Sequence, residues 1–150
     1  HTEMIQDSMK KAGYRTGFAD NGDFWDNVKP ETTSFFNPYE HEFLSLFNDP
    51  NYMLGDVLFD LNKGPSAAVR RCLYGKPVHD YVLDYGMKFW ERFPDESKFL
   101  WLGFMEAHEG TGEVIQYSDD AFAGFLDDFE KKGYMEDTVV LFFADHGLHM

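Results

Sequence analysis

Thr138-Val-Val-Leu-Phe-Phe-Ala-Asp-His-Gly147 is an apolar, β-branched and aromatic run that stops abruptly at Asp145-His146-Gly147. Without polar alternation, such a run reads as a strand covered on both faces, as in a parallel sheet. Sheets of that kind hold their ligands just beyond the carboxyl ends of the strands. An Asp and a His, both good metal ligands, stand at that point. The same three residues also suit a plain turn in which Gly147 supplies a positive φ, so the stretch needs support from its neighbours.

That support lies immediately upstream. Ser118 is placed to cap a helix that opens with Asp119 and Asp120, closes with Lys131 and Lys132, and stops at Gly133, each charge suiting its end of the helix dipole. Phe122, Phe125, Leu126 and Phe129 form its i, i+3, i+4, i+7 stripe, read as core packing, so truncating Leu126 to Ala is expected to cost ~2–5 kcal/mol. Before it, Lys98-Phe-Leu-Trp-Leu-Gly-Phe-Met105 reads as a further strand. Strand, helix and strand make a β-α-β unit with parallel strands, whose following loops open on one edge. Glu106, His108, Asp145, His146 and His149 then share a neighbourhood, and Asp20 and Asp23 join them if the first strand is parallel too.

That first strand is Tyr14–Ala19, preceded by a short helix from Thr2 through Ile5, Met9 and Ala12 that ends at Gly13. Another helix spans His79–Phe93 and closes at Pro94. The resulting expectation is an α/β fold with a mostly parallel sheet and helices on both faces. Residues 24–77 mix aromatic, Asn, Asp, Gly and Pro residues and read as an irregular, cleft-covering insertion, apart from a helical pattern over Tyr39–Phe47. His41 and His79 read as structural histidines, and Arg70-Arg71 as a surface ion-paired couple.

The chain has 150 residues, 43% of them hydrophobic and 18% aromatic, enough for one ordinary core. It starts at His1 and stops three residues beyond Gly147, which suggests the central part of a longer domain, incomplete at both ends, with unpaired sheet edges. Against 27 acidic residues stand 13 Lys and Arg, a formal net charge of −14, which argues against a nucleic-acid partner. Cys72 is the only cysteine, so neither an internal disulfide nor a Cys-rich zinc site is available. No apolar stretch approaches the roughly 20 residues of a membrane helix, so no membrane contact is expected from this segment.

The end DTVVLFFADHGLHM and the opening KKAGYRTGFADNG, with RRCLYGKPVHDYVLDYGMKFW, KFLWLGFMEAHEGTGEVI and SDDAFAGFLDDFEKKGYMEDTVV between them, resemble the alkaline phosphatase-like superfamily. The likeness is to its sulfatase-like branch, and within it to a poorly characterised eukaryotic-type subgroup. It implies one sulfatase-like catalytic domain that hydrolyses small-molecule or glycan sulfate or phosphate esters with a divalent ion, Ca²⁺, Zn²⁺ or Mn²⁺. Asp145 and His146 occupy the positions of metal ligands, and His108 that of a substrate-side catalytic residue, with Glu106 behind it. Where sulfatases carry a Lys and a His after the first strand, this chain has Asp20-Asn21-Gly22-Asp23, and the family nucleophile lies upstream of His1. The alternatives are a phosphatase or phosphodiesterase rather than a sulfatase, or a non-catalytic binding relative that kept the fold.

Overall fold

A computed structural model describes residues 3–21, 39–43, 72–108, 112, 115–144 and 147. They form an α/β fold. Helix α1 (Ile5–Lys11) leads into strand β1 (Arg15–Asp20), followed by β2 (His41–Phe43), the short strands β3 (Cys72–Leu73) and β4 (Lys76–Pro77), helix α2 (Val78–Arg92), strand β5 (Lys98–Gly103) and helix α3 (Asp119–Lys131). The main sheet has the order β2-β1-β5, with β3 and β4 forming a separate antiparallel pair. Both β2 and β5 run parallel to β1, and β5 keeps register from Arg15 opposite Lys98 to Asp20 opposite Gly103. The condition for Asp20 to reach the common edge is therefore met.

Helix α2 returns antiparallel to the strands across one face. A Cβ on Gly86 would stand 2.9 Å from Leu102 Cδ1, and one on Gly17 2.8 Å from Phe89 Cε2, so both glycines let helix and sheet approach more closely than any side chain permits. At the amino edge, Phe93 packs against His41 at 4.9 Å between ring centroids, and the Arg15 guanidinium lies over its ring. His41 is thus a structural histidine, as its sequence context suggests. Helix α3 packs beside α2: Phe129 meets Trp90 at 5.1 Å, and Phe122 meets Phe104 at 4.7 Å. No helix among the described residues is long and apolar enough to cross a membrane.

Several expectations give way to tertiary context. Tyr39–Phe47 does not begin as a helix, because His41–Phe43 pairs with β1. The Glu40 carboxylate accepts the Thr16 N–H at 2.9 Å while the Thr16 hydroxyl accepts the Glu40 N–H at 3.1 Å, which stitches this segment to the strand. Residues 44–47 lie outside the described residues, as does Arg70-Arg71. Residues 24–77 accordingly contribute β2, β3 and β4 where they are described. Ser118 does precede α3, but its hydroxyl donates to Ile115 O at 2.7 Å and does not cap the helix.

Thr138–Ala144 forms no strand among the described residues. Its side chains are largely exposed, Val139 at 84% and Phe142 at 77%. Edge-on ring contacts tie it to the fold, Phe142 to Phe122 at 5.6 Å and Phe143 to Trp101 at 5.4 Å. An apolar run becomes a buried strand only when neighbours cover both of its faces, and the described elements do not supply them.

The α3 stripe is core at Phe129, which is buried, but Leu126 is exposed. Phe129→Ala should therefore cost ~3–5 kcal/mol, and Leu126→Ala clearly less than the range expected from the stripe alone, in urea unfolding followed by circular dichroism.

Burial, and secondarily the Glu42 charge, pushes the phenols of Tyr39 and Tyr85 up from 10.0 to about 12. Folding favours the neutral phenols, so their contribution is complete below pH 10 and disappears as pH rises from there toward about 12. An alkaline unfolding titration should show a loss of stability in that window, reduced in Tyr85→Phe.

Candidate functional site

Because β1 and β5 are parallel and in register at Asp20 and Gly103, the chain leaves both strands at the same edge. The first residue beyond β1 is Asn21, and beyond β5 the chain runs through Phe104 and Met105 into the 3-10 turn Glu106–His108. The antiparallel return of α2 brings His79, in that helix's first turn, back to this edge. Asp20, Asn21, His79 and Glu106 are all buried there, four of the seven buried polar side chains among the described residues.

Glu106 is the hub. Its Oε1 accepts a hydrogen bond from Asn21 Nδ2 at 2.8 Å and lies 3.2 Å from His79 Nδ1. The other end of the Asn21 amide, Oδ1, accepts the Met105 backbone N–H at 2.9 Å, which ties the end of β1 to the loop after β5 twice over. Glu106 Oε2 is buried and has no hydrogen-bond partner among the described residues. The second nitrogen of His79 faces Asp80 Oδ1 at 3.6 Å, too far for a hydrogen bond. Its ring also packs near Phe122, at 6.4 Å, so α3 closes one side of the cluster.

Asp20 lies beside this network. Its carboxylate covers the Cα of Gly103, where a Cβ would come within 2.7 Å of Asp20 Cγ. Gly103 is thus the position that allows an acidic side chain to lie flat across the sheet end. Glu106 and Asp80 flank the His79 imidazole at the carboxyl edge, the position at which α/β sheets hold ligands.

His108 is the third residue of the turn that Glu106 anchors, so that turn stands at the carboxyl edge as expected. Asp145 and His146 lie outside the described residues, together with Asp23, Glu109, Glu113 and His149. Among the described residues, no group of three or more His, Cys, Asp or Glu side chains could hold a metal ion. The described donors therefore do not by themselves fit a divalent ion, whose expected ligands are Asp145 and His146.

Sequence reasoning did not include Asn21 and His79 in the site. For Asn21, the Asp20-Asn21-Gly22 turn signature marks the strand end without indicating which way the amide turns. His79 stands one residue into a helix and reads as an ordinary structural histidine, whereas it is part of a buried hydrogen-bonded cluster with Glu106.

Across residues 1–150 the chain matches the family described as Protein of unknown function (DUF229). The chain belongs to the DUF229 family. No curated protein and no solved structure matches it. The match is continuous, so in this DUF229 chain β1, α2, β5, α3 and the Asp145-His146-Gly147 end fall within one family unit.

Asn21→Leu removes a donor to a buried carboxylate and an acceptor for a backbone N–H with little change of volume. It should destabilise the fold by about 1–3 kcal/mol per group left unsatisfied, measured by denaturant unfolding against wild type.

Proposed function

We propose that the protein containing this chain is a metal-dependent hydrolase of sulfate or phosphate esters, in the sulfatase-like branch of the alkaline phosphatase-like superfamily. The observation that carries this reading is the parallel pairing of β1 with β5. It sets the Glu106–His108 turn at the carboxyl edge of the sheet, beside a buried polar cluster. Membership of the DUF229 family and the resemblance of the Asp145-His146-Gly147 end support it.

Within this proposal Asp145 and His146 hold a divalent ion, whose chemistry there is to neutralise charge on the non-bridging oxygens of the ester. Zn²⁺ and Mn²⁺ suit an imidazole ligand by softness, and Ca²⁺ suits the carboxylate. His108 stands on the substrate side, where an imidazole can protonate the leaving oxygen. Substrate enters from the carboxyl edge.

One feature keeps phosphate esters level with sulfate esters. Where the resemblance calls for a Lys and a His, the chain has Asp20-Asn21-Gly22-Asp23. Within that stretch Asp20 and Asn21 are buried, with Asn21 spent on Glu106 and Met105 and the Asp20 carboxylate packed over Gly103. Recognition of the anion must come from other residues, so the basic pair that marks sulfatases gives no preference here.

The test uses the full-length protein. Asp145→Ala should remove stoichiometric metal, measured by plasma mass spectrometry, and should abolish hydrolysis of aryl esters. Comparing aryl sulfate with aryl phosphate turnover in the wild type assigns the ester class. Metal content that does not change in the variant would sink the proposal.

A further inference from the structure

We infer that Glu106 is a positioning residue. Its carboxylate draws Asn21 from the end of β1 and His79 from the first turn of α2 onto one oxygen, and so fixes the turn that carries His108. The three segments are far apart in sequence, 85 residues between Asn21 and Glu106 and 27 between His79 and Glu106, and they meet at Oε1.

The orientation of each partner follows from donor and acceptor chemistry. A carboxylate oxygen accepts, so the hydrogens belong to Asn21 Nδ2 and to His79 Nδ1. The Asn21 amide is fixed from both ends. Its oxygen is required by the Met105 N–H at 2.9 Å and its nitrogen by Glu106, and a flipped amide would set oxygen against oxygen and N–H against N–H. The imidazole is fixed in the same way. With Nδ1–H committed to Glu106, the neutral ring keeps its lone pair on Nε2, which faces Asp80 Oδ1 at 3.6 Å. A histidine whose ring nitrogen donates to a buried carboxylate is held in one tautomer and one orientation, the arrangement by which proteins aim an imidazole.

A packing role alone does not account for the carboxylate. Glu106 is 3% exposed, yet its Oε2 has no partner among the described residues. That oxygen costs desolvation, which the two contacts made at Oε1 offset in part. Burial of this acid is explained by what Oε1 organises: the tautomer of His79, the amide of Asn21, and through the Met105 and Glu106 backbone the turn ending in His108.

The experiment uses the full-length protein labelled with ¹⁵N-histidine. Two-bond ¹H–¹⁵N correlation should show His79 as the Nδ1–H tautomer, and hydrogen exchange should show protected amides from Met105 to His108. Glu106→Gln keeps an Oε1 acceptor and should retain both. Glu106→Ala should lose both. Asn21→Asp, which keeps the shape but sets a second carboxylate against Glu106, should lose the protection even if the alanine variant does not fold. The activity arm rests on the hydrolase reading: Glu106→Ala should lower kcat about a hundredfold with KM little changed, and Glu106→Gln should recover most of it. An Nε2–H tautomer in the wild type overturns the inference, as does unchanged protection in both Glu106→Ala and Asn21→Asp. A wild type that hydrolyses no ester fails the hydrolase reading alone, because tautomer and exchange still decide the role of Glu106.

Discussion

The register of β1 against β5 is the constraint on which the rest of this structure depends. Parallel pairing from Arg15 opposite Lys98 to Asp20 opposite Gly103 makes the two strands end together, and everything chemical in the described structure lies where they end. A parallel pair needs a crossover, and α2 supplies the return from the carboxyl edge to the amino edge, where β5 begins. Gly17 and Gly86 permit that helix to press directly on the sheet, so its first turn arrives at the carboxyl edge with His79 already buried. Slipping the strands by one residue would turn Asp20 to the α2 face and remove it from Gly103.

Burying an acid at this edge is costly, and the fold offsets the cost with specific partners. Glu106 receives a side-chain amide and an imidazole, and the amide is itself held by a backbone N–H. Hydrogen bonds to a charged group are worth roughly 1.5–3 kcal/mol each, which is comparable to the penalty of leaving such a group unmade. The network therefore closes only when all of its members are present, and a lone substitution leaves others unsatisfied. At the opposite edge the electrostatics are of another kind: Arg15 pairs with Glu96 at 2.6 Å and with Glu40 at 3.3 Å, all three partly solvent-exposed, so these pairs pin the strand starts at little net energy.

The outer side of β5 illustrates how an apolar pattern and a strand differ. Thr138–Ala144 carries the composition of a buried strand, and its Phe142 and Phe143 reach Phe122 and Trp101. Hydrophobic composition is a property of the segment, whereas a strand is a property of a pair. With no neighbour on its outer side among the described residues, the run stays exposed and unpaired. The same distinction explains Tyr39–Phe43, where a helical spacing of aromatic residues yields to the reciprocal hydrogen bonds between Glu40 and Thr16.

The sequence by itself determined the α/β class, the order helix, strand, helix, strand, helix from Ile5 to Lys131, and the edge to which Glu106 and His108 belong. These follow from local periodicity, from helix-ending glycines such as Gly13 and Gly133, both left-handed in the structure, and from the rule that parallel strands end on one side. Only the tertiary structure decided that Asn21 and His79 join Glu106, that His41–Phe43 is a strand, and that Leu126 is exposed. The reason is physical. A residue's period reports which face it lies on, but the contacts of Asn21 and His79 with Glu106, at 2.8 and 3.2 Å, need two strand ends and a helix turn to converge, and no local pattern encodes that convergence.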